Sequence, residues 1–130
     1  MVPNVNRALT SLNLKYNEIG AGGAKAIAHA LRQSTLRGLT INMALDIEQL
    51  KTSTSIDLSS KGLCFEEAII VAKCIEFNRS LNTLNLSGNK IGAHDRDGDN
   101  AAPWIPTPDG PKALFDSLKA NTTLTALDFS

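Results

Sequence analysis

Few side chains in this sequence are of a type that does chemistry, and their spacing argues against catalysis. His29 and His94 could act as an imidazole base near neutral pH, but neither has a nucleophile's sequence context around it. Cys64 and Cys74 lie ten residues apart and fit no metal-ligand pattern, so they read as buried or partly buried free thiols. Asp95, Asp97 and Asp99 alternate as the first half of a calcium loop does. Counting from Asp95, however, Asn100 stands where the turn glycine belongs and Pro106 where the bidentate glutamate belongs. Two readings stay open there, a weak loop-only calcium site and an acidic solvated turn. Trp104, the one tryptophan, sits beside Ile105 among prolines that restrict the backbone. It would either insert into a partner or fold back over its own scaffold. The triplets beginning at Asn78, Asn85 and Asn121 have the form of glycosylation acceptors, but read better as helix-to-strand turns and a strand. No enzyme activity, cofactor or small-molecule substrate is expected.

The elements that must position these residues come from one domain of 130 residues, 42% of them apolar. Thirteen basic and thirteen acidic side chains cancel, which removes the usual ground for expecting nucleic acid or an anionic membrane as partner. No run of about 18 apolar residues exists to span a bilayer. The first six residues lack the charged and apolar regions of a signal peptide, so an intracellular, cytoplasmic protein with reduced thiols is expected.

A repeat organises the chain. Leu9-x-x-Leu12-x-Leu14-x-x-Asn17-x-Ile19-Gly20 returns as Leu81-x-x-Leu84-x-Leu86-x-x-Asn89-x-Ile91-Gly92. Looser copies are Ile56-x-Leu58-x-x-Lys61-x-Leu63, Leu36-x-x-Leu39-x-Ile41 and Leu124-x-x-Leu127-x-Phe129. Taking Leu12, Leu39, Ile56, Leu84 and Leu127 as origins, the steps are 27, 17, 28 and 43 residues. Two match a single ruler, the last exceeds it by an insertion, and the short one implies a helix cut down. Alternation puts the leucines on one face of short strands and polar residues on the other. Asn17 and Asn89 can bond neighbouring backbone where the chain turns inward. After each corner a helix follows. Ala24, Ile27, Ala28 and Leu31 form an i, i+3, i+4, i+7 stripe, repeated by Ala68, Val71, Ala72 and Ile75. Leu114, Phe115 and Leu118 offer the same stripe behind Pro111. In the short unit there is room only for a helix of about Asp46 to Leu50, with Asp46 and Gln49 in capping-box spacing.

This pattern resembles the ribonuclease-inhibitor-like class of leucine-rich repeats, and is similar to the repeat domains of Ran GTPase-activating proteins and NOD-like receptors. The resemblance covers residues 9 to 129, apart from a shortened repeat around 39–55 and an inserted loop at 93–109. It implies an α/β solenoid, a right-handed horseshoe arc with a parallel sheet on the concave face and helices on the convex face. Across residues 1–130 that makes one domain of four to five repeats. Lys61 and Ala44 stand where the ladder asparagine belongs in two units. Terminal repeats usually need polar caps, so a longer chain, a partner or the residues outside the pattern would shield the two ends.

The resemblance implies a protein-binding module, a scaffold or one subunit of a complex. Alternation gives the outward row Asn13, Thr40, Asp57, Asn85 and Asp128, with Lys15 and Tyr16 beside it and Asn42 and Ser59 also facing out. Tyr16 is the best anchor on this small, polar, slightly acidic surface. Trp104 and Ile105 in the insertion form a second candidate surface, since long loops on rigid scaffolds often carry function. Two other functions stay open: regulation of a small GTPase, on the resemblance alone, and a calcium-responsive adaptor through Asp95, Asp97 and Asp99. All of this presumes that Leu12, Leu39, Ile56, Leu84 and Leu127 lie in one continuous parallel sheet.

Overall fold

A computed structural model of the chain describes residues 8–15, 17, 19–31, 34–91, 93–95, 104–106 and 109–128, with 93–95 and 104–106 described through their backbone. In chain order the elements are β1 (Ser11–Asn13), α1 (Gly20–Leu31), β2 (Gly38–Thr40), β3 (Ala44–Asp46), α2 (Ile47–Thr52), β4 (Ser55–Asp57), α3 (Phe65–Phe77), β5 (Thr83–Asn85), β6 (Ala93–Asp95), β7 (Trp104–Pro106), α4 (Asp109–Ala120) and β8 (Ala126–Asp128).

Equivalent repeat positions stand opposite one another. Leu12 pairs with Leu39 in parallel strands β1 and β2, and Ile56, Leu84 and Leu127 align across parallel β4, β5 and β8. The five leucine positions nevertheless do not share one sheet. They divide between a sheet β1-β2-β3 and a sheet β4-β5-β8. The reason lies in the 17-residue step. After β2 the chain reverses over residues 41–43, and β3 returns antiparallel along β2 with Leu39 opposite Leu45. That takes the edge of β2 which the next repeat would need. The expectation of a continuous, wholly parallel sheet is therefore corrected: two short sheets share one apolar core.

Helix α3 is the centre of that core. It touches α1, α2 and α4, so Ala68, Val71, Ala72 and Ile75 are buried together with Ile69, Ile70 and Cys74 on its other faces. A Leu or Ile buried this fully is worth about 1.5–3 kcal/mol. Helix α1 buries Ala24, Ala28 and Leu31, the small residues allowing close approach to α3. Helix α4 departs from the expected stripe. Leu114 is buried and Leu118 half-buried, but Phe115 is 51% exposed. Helix α4 packs chiefly on α3, so its inner face is Gly110, Leu114 and Ser117, and Phe115 lies off that face. A Cβ at Gly110 would collide with the Ile91 carbonyl oxygen and press on Ala68.

Helix ends leave carbonyls without partners, and the ends of α1, α2 and α3 are each closed by a side chain from the following unit. The Lys51 ammonium donates to Leu31 O at the end of α1 (2.6 Å). Buried Asn78 donates from Nδ2 to Leu50 O (3.0 Å) and Ser53 O (2.9 Å) at the end of α2. Asn121 donates to Ile75 O (3.0 Å) and Asn78 O (3.3 Å) at the end of α3. Both asparagines also turn their own chain, their Oδ1 atoms accepting from Leu81 N (2.8 Å) and Leu124 N (2.7 Å). At the other end of the unit, Asn89 Nδ2 donates to Leu58 O of the preceding unit (2.8 Å) and to Leu86 O of its own (2.9 Å). Its Oδ1 accepts from Lys61 N (3.0 Å) and Leu63 N (3.1 Å).

Two stability measurements follow from this packing. Asn78→Ala strands buried carbonyls and amides, and should cost on the order of 3 kcal/mol in urea unfolding; a loss within error of zero would contradict the stitching role. Gly110→Ala should cost about 1–3 kcal/mol through overpacking against rigid backbone, whereas an unchanged or raised midpoint would contradict the close approach.

Candidate functional site

The strand residues flanking each inward-facing leucine position point to the opposite face, and form a polar surface there. Asp57, Asn85 and Asp128 are direct neighbours across β4, β5 and β8, with Ser55, Thr83 and Ala126 as the row beside them. On the other sheet Asn13 stands opposite Thr40. The expected five-residue row is thus interrupted between Thr40 and Asp57, because β3 intervenes at the edge of β2. A shallow depression of about 300 Å³ runs over β4, β5 and β8.

Local chemistry fixes this row. Asn13 Oδ1 accepts from Lys15 N (2.9 Å). Asp57 Oδ1 accepts from Ser59 N (3.0 Å) and Ser59 Oγ (2.7 Å), and Asn85 Oδ1 accepts from Ser87 N (2.9 Å) and Ser87 Oγ (2.7 Å). These are side-chain turns that end the strand, which explains why Asn or Asp recurs here. The Ser59 hydroxyl and backbone N–H, helped by the Lys61 charge, hold the Asp57 carboxyl below its ordinary 3.8. Asp57 stays charged at neutral pH, and its rotamer is set before any partner arrives. Thr83 Oγ1 donates to Ser55 Oγ (2.8 Å), tying the neighbouring row.

The remaining candidate residues fall in different places. Lys15 is exposed in the turn after β1. Asn42, expected to face outward, is half-buried and turns toward α3. Tyr16, Asp97 and Asp99 lie outside the described residues, as do the side chains of His94, Asp95, Trp104 and Ile105. The stretch 93–109 is not the uninterrupted loop that its composition suggests. Its ends pair as antiparallel β6 and β7, with Asp95 opposite Trp104 and His94 opposite Ile105. His29 is exposed on α1. Cys64 and Cys74 are buried thiols outside any disulfide, and burial pushes the Cys74 thiol up to about 12, which removes it as a nucleophile. Among the described residues, no three His, Cys, Asp or Glu side chains converge as a metal ion would require.

A second groove, of about 240 Å³, lies on the helix side between α1, α3 and α4. Its charges largely answer one another, Lys25 meeting Asp109 at 3.8 Å and Lys73 meeting Glu76 at 3.2 Å.

Spacing alone does not single out Glu66 and Glu67. Both are buried in the first turn of α3, Glu67 completely. Glu67 Oε2 accepts from Asn42 N (2.7 Å) and Met43 N (3.4 Å), and Oε1 from Cys64 N (2.8 Å) and Asn42 Nδ2 (3.1 Å). Glu66 Oε1 shares the same amide nitrogen at 3.2 Å. The reversal between β2 and β3 has no ladder asparagine, and a carboxylate from the following unit takes that part. The available signal is a Glu three residues after Cys64 in a turn-like Gly62-Leu63-Cys64, a partial capping box.

Comparison with known proteins returns one family. A model described as Leucine Rich repeat matches residues 5–28 and 77–93. The chain is similar to leucine-rich repeat proteins. The matched stretches hold β1 with most of α1, and β5 with its following turn. The mixed strand and helix content fits an α/β repeat fold. No curated protein matches the chain. No described helix is long and apolar enough to cross a membrane.

Glu67 makes the repeat junction pH-sensitive. Burial, with the Glu66 carboxylate beside it, raises its pKa above the ordinary 4.5, and the bonds from Cys64 and Asn42 oppose the rise without cancelling it. The folded state therefore keeps a proton that the unfolded chain has already released. The resulting stability is present in full below pH 4.5 and is lost as pH rises through the folded value. Urea midpoints measured against pH should show the wild type losing stability relative to Glu67→Gln as pH climbs from 4.5. Parallel curves for the two proteins would remove the assignment.

Proposed function

We propose that this chain is a protein-binding module rather than an enzyme, serving as a scaffold or subunit of a complex. Its main contact surface is the strand face over β4, β5 and β8, with Asn13, Lys15, Tyr16 and Thr40 extending it, and the arm carrying Trp104 and Ile105 adds a second contact. Leucine-rich repeat domains generally mediate protein–protein interaction, which supports the class of function. The single observation that carries the choice of surface is the Asp57–Asn85–Asp128 row. Its central Asn85 and flanking Asp57 are locked by their own turn bonds, so little side-chain freedom remains to be lost on binding. The reading takes the repeats as ribonuclease-inhibitor-like, on the 28-residue step and the alanine-striped helices, arranged as a short solenoid arc. It places the protein in the cytoplasm, a compartment where buried thiols such as those of Cys64 and Cys74 stay reduced.

The test uses the tagged full chain, expressed in its own cells. Thr83→Trp with Ala126→Trp fills the strand face at two exposed positions, and Lys119→Glu alters the helix side as a control. Partners retained by wild type and by the control should be lost from the strand-face variant, and Trp104→Ala should weaken a subset of them. Full retention by a folded strand-face variant would overturn the choice of surface.

A further inference from the structure

We infer that copies of this chain join head to tail, β1 of one adding in parallel beside β8 of another. The junction continues the sheet β4-β5-β8, and it does not depend on the strand-face reading above. Each outer face is one half of a contact that the chain already makes internally. Among the described residues, β8 has β5 on one side and no strand on the other, and β1 has β2 likewise. Core positions at both faces are left part-covered. Leu12 and Leu14 are half-buried, although Leu84 and Leu86, in the same places of the repeat, are 2% and 1% exposed. At the other end Leu118, Leu124 and Leu127 are half-buried where Ile75, Leu81 and Leu84 are buried.

The polar stitching between units points to the occupant. Asn121 of the last unit reaches back to Ile75 O and Asn78 O at the end of α3. The corresponding carbonyls at the end of α4 are Leu118 O and Asn121 O, and no described side chain donates to either. A unit that follows needs an asparagine three residues before its first leucine, as Asn78 precedes Leu81 and Asn121 precedes Leu124. The first unit of this chain supplies one, reading Asn6-Arg7-Ala8-Leu9 against Asn78-Arg79-Ser80-Leu81. Asn6 lies outside the described residues, and its place in the repeat is read from the letters alone. In the joined copies its amide meets the end of α4.

The backbone register follows the same rule. Asn82 O accepts from Thr125 N (2.8 Å) and Ala126 N (3.1 Å). Thr125 O stands one unit on, and accepts from Thr10 N and Ser11 N of the incoming copy. Leu127 then faces Leu12, and Asp128 faces Asn13, so no like charges meet across the pair. The outward row, broken between Thr40 and Asp57 within one chain, runs on from Asp128 to Asn13 and Thr40 of the next. A two-fold dimer sets like face against like face and cannot reproduce this junction.

Sedimentation velocity on the full chain, over a concentration series up to about 1 mM, should show mass rising with concentration. Asn6→Asp sets a carboxylate against the carbonyl end of α4. Ser11→Pro removes a donor from the outer edge of β1, because Thr10 O and Leu14 N already serve β2 and Ser11 faces the other way. Each variant should weaken association about tenfold, with its amide spectrum verifying the fold. Direction is read by mixing Ser11→Cys and Ala126→Cys copies under mild oxidation. These exposed positions become neighbours on adjacent strands, within disulfide reach, and should cross-link. Ser11→Cys with Thr83→Cys should not, since one strand further lies beyond that reach. A mass constant across the series would overturn the inference. So would association undiminished in both folded variants, absence of the mixed cross-link, or Ser11→Cys linking to itself in preference to Ala126→Cys.

Discussion

Short repeats stay together only if the polar backbone at their corners is satisfied, because a buried carbonyl or amide without a partner costs about 1–3 kcal/mol. In this chain that requirement is met across unit boundaries. Lys51, Asn78 and Asn121 each reach back to close the end of the preceding helix. Asn89 joins the turn after β5 to the turn after β4. Each bond works only if equivalent atoms of successive units lie at a fixed offset, so the hydrogen bonds enforce the register that the leucines fill. Packing and polar satisfaction are one constraint seen from two sides.

The second unit shows what happens when the ruler is shortened. Seventeen residues from Leu39 to Ile56 leave no room for a full helical return, and the chain spends part of them on β3, which caps β2 and closes the first sheet. What remains becomes α2, six residues with Asp46 accepting from Gln49 N at 3.1 Å. Because α2 is short, α1 reaches α3 directly, and the core continues where the sheet does not. The corner over residues 41–43 is then held by Glu67. A carboxylate can accept four bonds where an asparagine oxygen and nitrogen divide the work. The gain in acceptors comes with the desolvation of a charge, which is why the pKa of this group moves up and that of exposed Asp57 moves down.

Much of the scaffold is legible in the letters because it rests on periodicity. The opposed positions Leu12–Leu39 and Ile56–Leu84–Leu127, and the buried faces of α1 and α3, follow from spacing alone. The asparagines of the Asn78 and Asn121 triplets can be placed at helix-to-strand turns, although their bonds to the preceding helix cannot. Other features lie beyond periodicity. Ile41-Asn42-Met43-Ala44-Leu45-Asp46 carries no glycine or proline to announce a reversal, so β3 leaves no mark in the sequence. Glu66 and Glu67 open a helix, where acids are ordinary solvated residues, and only the surrounding units reveal that they are enclosed. Phe115 obeys the helical stripe, yet which part of a stripe is buried depends on how many helices flank it. The site is legible as a set of outward positions, but not as a row interrupted by β3.

The strand face also shows why a structural role does not compete with a binding role here. Residues that end strands must offer an acceptor to the next backbone N–H, which selects Asn or Asp at positions 13, 57 and 85. The same side chains have a second polar atom, and the turn bond spends only one. Anchoring the first fixes where the second can point, so ordering for the fold supplies preorganisation for a ligand at no added entropy. The choice between Asn and Asp then sets the charge of the face while leaving the turn intact. Asn13 and Asn85 show that the amide suffices for folding, so the carboxylate at Asp57 is not explained by the turn it makes. Its charge remains as the property that the fold does not require.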